Sequence, residues 1–205
     1  MIPRAEFRVF GQGLIAELQP HLWNGRTTLQ QMRKMPAEIY FLSRQTADAN
    51  VKVRDELLDI KVKTGTTPEG FEIFEPKGKF QFPVTHENLA LIASALRISL
   101  PEPMASARLV SFEAFLEMAR AHPDLAVVEV EKNRWGFSID GVTCEYAQVF
   151  FNGAMIESVC VESENYKSMP AVIAALGLAG RPNTNYISAA AKVVGLQRAA
   201  AGSLA

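Results

Sequence analysis

The chain has 205 residues, 48% of them hydrophobic and 21% charged, with a formal net charge of -1 at neutral pH. This is ordinary globular composition with length enough for one sizeable core, and it excludes disordered, fibrous and strongly basic nucleic-acid-binding chains. No apolar run reaches the length of a membrane span, so any affinity for an anion has to come from cations gathered locally.

Met1 to Phe10 carries Arg4, Glu6 and Arg8 and no apolar stretch, which argues against a secretory signal and for a cytoplasmic protein. Cys144 and Cys160 read as free, buried thiols, because neither their spacing nor their context suggests zinc or an oxidising compartment. A single domain over residues 1–198 is expected, with 199–205 as a frayed tail.

In chain order, Ala5 to Phe10 reads as a strand and Gly13 to Leu22 as a helix, the latter from the spacing of Leu14, Ile15, Leu18 and Leu22. Glu38 to Leu42 is a short strand. Asn50 to Asp55 and Leu57 to Thr64 alternate apolar and charged residues about an Asp55-Glu56 turn, a hairpin pattern. Gly70 to Glu75 and Lys79 to Val84 are two weaker strands. Thr85 is the expected N-cap of a helix to about Ile98, Pro101 and Pro103 mark a loop, and Ser111 caps a second helix to His122. Leu125 to Arg134, Trp135 to Ile139, Val142 to Phe151 and Ala154 to Glu164 follow as strands, and Ser168 to Leu178 and Asn185 to Leu196 close the chain as helices. Asn152-Gly153 is the best hairpin signal present, since a two-residue primed turn needs positive φ at both positions.

Residues two apart on a strand share a face. Glu6 and Arg8 therefore lie opposite Phe7 and Val9, and Lys52 and Arg54 opposite Val51 and Val53. Asp59, Lys61 and Lys63 oppose Leu58, Ile60 and Val62, while Lys132 and Arg134 share a face with Val130. The Asn152-Gly153 turn sets Glu145 against Cys160 and Thr143 against Glu162, and extended one step it sets Glu164 beside Gly141. Glu145, Glu162 and Glu164 then share a face with small residues.

Such faces are most often wet. Lys52 and Arg54, about 7 Å apart by strand geometry, repel by about 0.6 kcal/mol in water and about 2.4 kcal/mol at an effective dielectric near 20. Gathered in an interior, these cations need carboxylates and a polyanionic ligand to offset them. Gly11-Gln12-Gly13 lacks the lysine of a phosphate loop and reads as a turn. His21, His86 and His122 have no metal-ligand spacing, and Trp23 and Trp135 read as core or rim residues.

The ordered pieces Asn50-Val51-Lys52-Val53-Arg54-Asp55 with Asp59-Ile60-Lys61-Val62-Lys63, Lys132-Asn133-Arg134 and Val161-Glu162-Ser163-Glu164 resemble the CYTH superfamily of triphosphate tunnel metalloenzymes. Ala175-Leu176-Gly177-Leu178 followed by Asn185-Tyr186 is similar to that family's closing helices. The resemblance implies an α+β fold, a closed antiparallel eight-stranded β-barrel forming a tunnel with helices packed outside. It implies phosphate binding by Lys52, Arg54, Lys61, Lys63, Lys132 and Arg134, to which the cation Arg8 is added as an expected contact, and Mg²⁺ or Mn²⁺ held by Glu6, Glu162 and Glu164. The expected partner is a small anionic phosphate-bearing ligand, without nucleic acid or membrane, and a homodimer is left open. The expected activity is metal-dependent hydrolysis of inorganic triphosphate or another triphosphate-bearing small molecule, with a non-catalytic polyphosphate-binding module as the alternative. A nucleotide cyclase is a third reading with no distinguishing residue. The departure lies at the N-terminus, where the family's Glu-x-Glu-x-Lys is replaced by Glu6-Phe7-Arg8-Val9-Phe10.

Overall fold

The computed structural model describes residues 3–22 and 27–197; Trp23 and the expected tail at 199–205 lie outside them. Its elements are β1 (Ala5–Gly11), α1 (Leu14–Leu22), β2 (Thr27–Ser43), β3 (Thr46–Arg54), β4 (Leu57–Thr66), β5 (Glu72–Gln81), β6 (Val84–Thr85), α2 (His86–Leu96), α3 (Glu102–Ala105), β7 (Leu109–Val110), α4 (Phe112–Ala121), β8 (Leu125–Ile139), β9 (Val142–Phe151), β10 (Ala154–Ser163), α5 (Met169–Ala175) and α6 (Tyr186–Val193). Eight strands hydrogen-bond in the order β1-β10-β9-β8-β2-β3-β4-β5, closing an antiparallel barrel, and β6 and β7 form a separate pair. Among the described residues, no helix is long and apolar enough to cross a membrane.

Local chemistry accounts for much of this order. Asn152 and Gly153 adopt φ of 48° and 81°, and Asp55 and Glu56 adopt 50° and 59°, the positive values that a two-residue hairpin requires. The β9–β10 ladder pairs Phe151 with Ala154, Glu145 with Cys160 and Thr143 with Glu162, the register expected from the turn. Thr85 and Ser111 cap α2 and α4, their hydroxyls accepting from the backbone N–H groups of Asn88 and Ala114.

Other boundaries differ from the sequence reading. The two weak strands at 70–84 are one strand, β5, followed by the two-residue β6, and Leu125 to Ile139 is one unbroken strand rather than two. The proline loop contains the short helix α3, because Pro103 sits in its first turn, where a missing N–H costs nothing. β2 begins at Thr27, well before Glu38. The apolar residues Leu29, Met32 and Met35 are spaced by three, so no alternation announces that extension; ring closure makes it a strand.

Contacts divide the chain into two compact units. The first comprises Met1–Pro36, Lys63–Glu75 and Glu131–Asn185, and the second Ala37–Val62, Pro76–Val130 and Tyr186–Ala205. In the first, Phe7, Val9, Val142, Cys144, Val159 and Val161 pack under Leu14 and Leu18 of α1 and Met169, Val172 and Ile173 of α5. In the second, Val51, Val53, Leu58 and Ile60 pack under Leu89, Ile92 and Leu96 of α2 and Phe115 and Met118 of α4. Burying a side chain such as Phe115, wholly excluded from solvent, contributes about 1.5–3 kcal/mol. The helices thus take the apolar strand faces, and the charged faces turn the other way.

Candidate functional site

In the first unit, β10 lies between β1 and β9, and the two ladders set up rows of side chains on the charged face. Glu6 pairs with Glu162, which pairs with Thr143; Arg8 pairs with Cys160, which pairs with Glu145. Two strand spacings, about 9.5 Å, separate the backbones at Arg8 and Glu145. A long side chain spans that distance only if the intervening residue is small, and Cys160 and Ser158 leave the room.

Arg8 makes the crossing. Its Nε donates to Glu6 Oε1 at 2.8 Å, and its Nη1 donates to Glu145 Oε1 at 3.2 Å and Ser158 Oγ at 3.0 Å. The residue is 5% exposed and Glu145 8%, values that rule out a wet face here. Arg134 donates to the other oxygen of the same carboxylate, Glu145 Oε2. Arg8 is also fixed through its own backbone. The Arg8 N–H donates to Asn183 Oδ1 at 2.8 Å, and its carbonyl accepts from the Thr184 N–H at 2.7 Å. Asn183 Nδ2 donates to the carbonyls of Glu6 and Gly70, each at 3.1 Å.

These side chains border a cavity of about 290 Å³. Arg8, Arg33 and Arg134 bring three guanidiniums to it, Glu145 and Glu162 bring two carboxylates, and Gln31 and Thr143 add neutral hydrogen-bonding groups. Arg33 Nε donates to Gln31 Oε1 at 2.6 Å, and no carboxylate among the described residues pairs with it. Gln31 and Arg33 escaped the sequence reading because they lie on the non-alternating half of β2; the cluster Arg33-Lys34 was the one signal there.

Glu145 is held as an anion. Burial pushes the Glu145 carboxyl up, but the charges and hydrogen bonds of Arg8 and Arg134 outweigh it and leave its pKa below the ordinary 4.5. A folded-state value below the unfolded one stabilises the fold above pH about 4.5 and is lost as pH falls through the folded value. Acidification below about pH 4.5 should therefore lower the melting temperature more steeply in the wild type than in Glu145→Gln. Parallel melting curves of the two proteins from neutral to acid pH test this, and identical slopes would exclude Glu145 as the group responsible. Burial pushes the Cys144 thiol up to about 12 and that of Cys160 well above its ordinary value, so neither is a thiolate nucleophile.

The remaining expected residues are distributed as follows. Lys63 Nζ donates to Glu72 Oε1 at 2.8 Å, and Asn185 Nδ2 holds the other oxygen at 3.0 Å. Lys132 is buried on the strand that carries Arg134. Glu164 lies past the end of β10, exposed, 3.8 Å from Arg4 Nε, whose Nη1 donates to Glu162 Oε1 at 3.0 Å. In the second unit, Glu38 is 1% exposed. Lys52 Nζ donates to it at 2.7 Å, Arg54 Nη1 lies 3.6 Å away, and the Tyr40 hydroxyl donates at 3.3 Å. Lys61 is exposed.

For a divalent cation, the described residues offer one group of ligand atoms within 4.8 Å of one another, on Glu6, Cys160 and Glu162. The fit is poor. Mg²⁺ and Mn²⁺ take oxygen donors, yet the third donor is a neutral thiol. Both carboxylates already accept from guanidiniums, Glu6 from Arg8 and Glu162 from Arg4. A dication about 5 Å from a guanidinium is repelled by about 7 kcal/mol at an effective dielectric near 20.

Fold and site together define an α+β protein with a closed eight-stranded antiparallel barrel and an arginine-rich cavity beside β1, β9 and β10. No family model and no curated protein matches the sequence. Among solved structures, the chain is similar to a conserved hypothetical protein from Pyrococcus furiosus, with 16% identity, 90% of this chain and 98% of that one covered, and a TM-score of 0.46. It is similar to a candidate adenylate cyclase from Bacillus halodurans, with 14% identity, coverage of 91% and 97%, and a TM-score of 0.43. A candidate adenylyl cyclase from Hippeastrum, described as having a dominant triphosphatase activity, aligns at 10% identity over 87% and 89% with a TM-score of 0.44.

Proposed function

We propose that this protein binds a small, multiply charged, phosphate-bearing anion in the cavity bordered by Arg8, Arg33 and Arg134. The observation that carries this reading is the excess of guanidinium over carboxylate in that cavity, with Arg33 bonded to a neutral amide and no carboxylate partner among the described residues. Guanidinium forks match phosphate oxygens in geometry as well as charge. Lys132 is proposed to add to the same field. Lys63 already spends charge on Glu72 and is proposed only as a secondary contact, while Lys52 and Arg54, which belong to the second unit, share Glu38 and are proposed as phosphate contacts of that unit by itself.

Tripolyphosphate is the simplest probe, and it should raise the melting temperature, with the effect shrinking as salt is added. Arg33→Ala should weaken its binding by roughly 10- to 100-fold, the equivalent of one charge-assisted hydrogen bond of about 1.5–3 kcal/mol, while leaving the melting temperature of the free protein nearly unchanged because Arg33 is exposed. Calorimetric titration of wild type and variant measures both quantities. A wild type that is neither stabilised nor titrated by tripolyphosphate would sink the proposal.

The second reading is metal-dependent hydrolysis of the bound chain, for which Glu6, Cys160 and Glu162 are the one candidate ligand group among the described residues, and a poor one. It requires phosphate release from a triphosphate in Mg²⁺ or Mn²⁺, and its absence with every triphosphate tried would eliminate it.

A further inference from the structure

We infer that the Arg8 guanidinium is a built-in counter-cation, so that the cavity takes its phosphate-bearing anion without a divalent metal. The inference rests on the anion-binding reading and adds to it the identity of the positive charge at Glu6.

Three independent features lead there. First, the side chain is consumed: Arg8 bonds Glu6, Glu145 and Ser158 at 2.8, 3.2 and 3.0 Å. An ion seated on Glu6 Oε1 would have to displace the guanidinium of a residue that is 5% exposed. Second, the main chain at Arg8 is clamped from both sides by the 183–184 segment, Asn183 accepting from its N–H and Thr184 donating to its carbonyl. Asn183 also ties down the Glu6 carbonyl. The strand that presents Arg8 is therefore held where the guanidinium meets both carboxylates. Third, the neighbours that a metal would need are unsuited to it: Glu162 accepts from Arg4, and Cys160 offers sulfur in place of oxygen. Meanwhile the small side chains at Cys160 and Ser158, on the strand between Arg8 and Glu145, are what let Arg8 reach across. The site is shaped around an arginine.

The role is consistent with general electrostatics. A guanidinium delivers one fixed positive charge and directed donors without needing a metal to be recruited, and here, together with Arg134, it offsets buried Glu145 and half-buried Glu6 in the absence of ligand. An incoming phosphate then meets Arg134 and Arg33 across the same cavity.

The test uses the full chain stripped with EDTA and two titrations. In the first, tripolyphosphate is titrated calorimetrically in EDTA and again in excess Mg²⁺ or Mn²⁺. Binding in EDTA that metal tightens by less than about threefold supports the inference. Binding that appears only with metal, or tightens by about tenfold or more, overturns it while leaving anion binding intact. No binding in either condition overturns the anion-binding reading and the inference with it. In the second, Mn²⁺ alone is titrated and followed by its electron paramagnetic resonance signal, with no phosphate present. Wild type should leave the signal of free Mn²⁺ unchanged, whereas Arg8→Gln, which removes the charge but keeps a hydrogen-bonding amide, should bind Mn²⁺ at least about tenfold more tightly. Equal Mn²⁺ affinity in the two proteins overturns the inference. Wild-type protein alone decides the first titration, so the outcome does not depend on the variant folding.

Discussion

Arg8→Ala should lower the melting temperature by roughly 6–20 °C and abolish measurable tripolyphosphate binding. Glu145 is 8% exposed and shares its charge between Arg8 and Arg134, so removing Arg8 leaves a buried carboxylate half-compensated and strips Ser158 of a hydrogen-bond donor. Breaking a buried pair from one side costs about 3–5 kcal/mol, and a chain of this size loses about 2–4 °C per kcal/mol. Arg8→Lys keeps the charge but not the fork, and it should fall between wild type and Arg8→Ala. Thermal melts of the three proteins measure the order. An Arg8→Ala protein as stable as wild type would mean that water reaches Glu145 freely, contrary to its burial.

The second large effect is expected in the other unit. Glu38, 1% exposed, holds Lys52 and Arg54 and accepts from the Tyr40 hydroxyl. Glu38→Ala leaves two cations of one strand face without their shared counter-charge. The expected loss is roughly 2–4 kcal/mol, below the full cost of breaking a buried pair because Lys52 and Arg54 retain 16% and 37% side-chain exposure. Glu38→Gln keeps volume and a hydrogen-bond acceptor, so the difference between the two variants isolates packing from charge. Denaturant melts compare them, and added tripolyphosphate should restore part of the loss if Lys52 and Arg54 also meet phosphate. Equal stability of wild type and Glu38→Ala would remove Glu38 as the organiser of that pair.

Both predictions turn on reach across the sheet, which a strand pattern only partly encodes. Alternation alone placed Glu6 and Arg8 opposite Phe7 and Val9, and Lys52 and Arg54 opposite Val51 and Val53. The cores bear this out, since those apolar residues lie under α1 and α5 or under α2 and α4. The Asn152-Gly153 turn carried its register as far as Glu162 opposite Thr143, because a two-residue loop fixes every pair that follows it. It failed one step on, where β10 ends at Ser163 and Glu164 turns out to Arg4. Strand ends are set by what neighbouring chain segments supply, and no local residue records that.

The N-terminal departure was legible as well, although only as a substitution: Arg8 stands where a carboxylate was expected and Phe10 where a lysine was. Sequence could not say what Arg8 does, because Glu145 is 137 residues away and Asn183 further still. Nor could it find Gln31 and Arg33, whose segment has neither a period of two nor a turn signal. They enter the cavity because closing an eight-stranded ring calls on β2 at its full length.

Local chemistry by itself determined the strand faces, the caps at Thr85 and Ser111 and the hairpins at Asp55-Glu56 and Asn152-Gly153, since steric limits on φ, hydrogen-bond caps and the twofold pleat act between near neighbours. Only the tertiary structure decided which charged face is dry, which carboxylate neutralises which guanidinium, and that Glu6 faces an arginine. Those outcomes depend on burial and on distances of a few ångströms between residues far apart in the chain, and the energy of a charge changes severalfold with both.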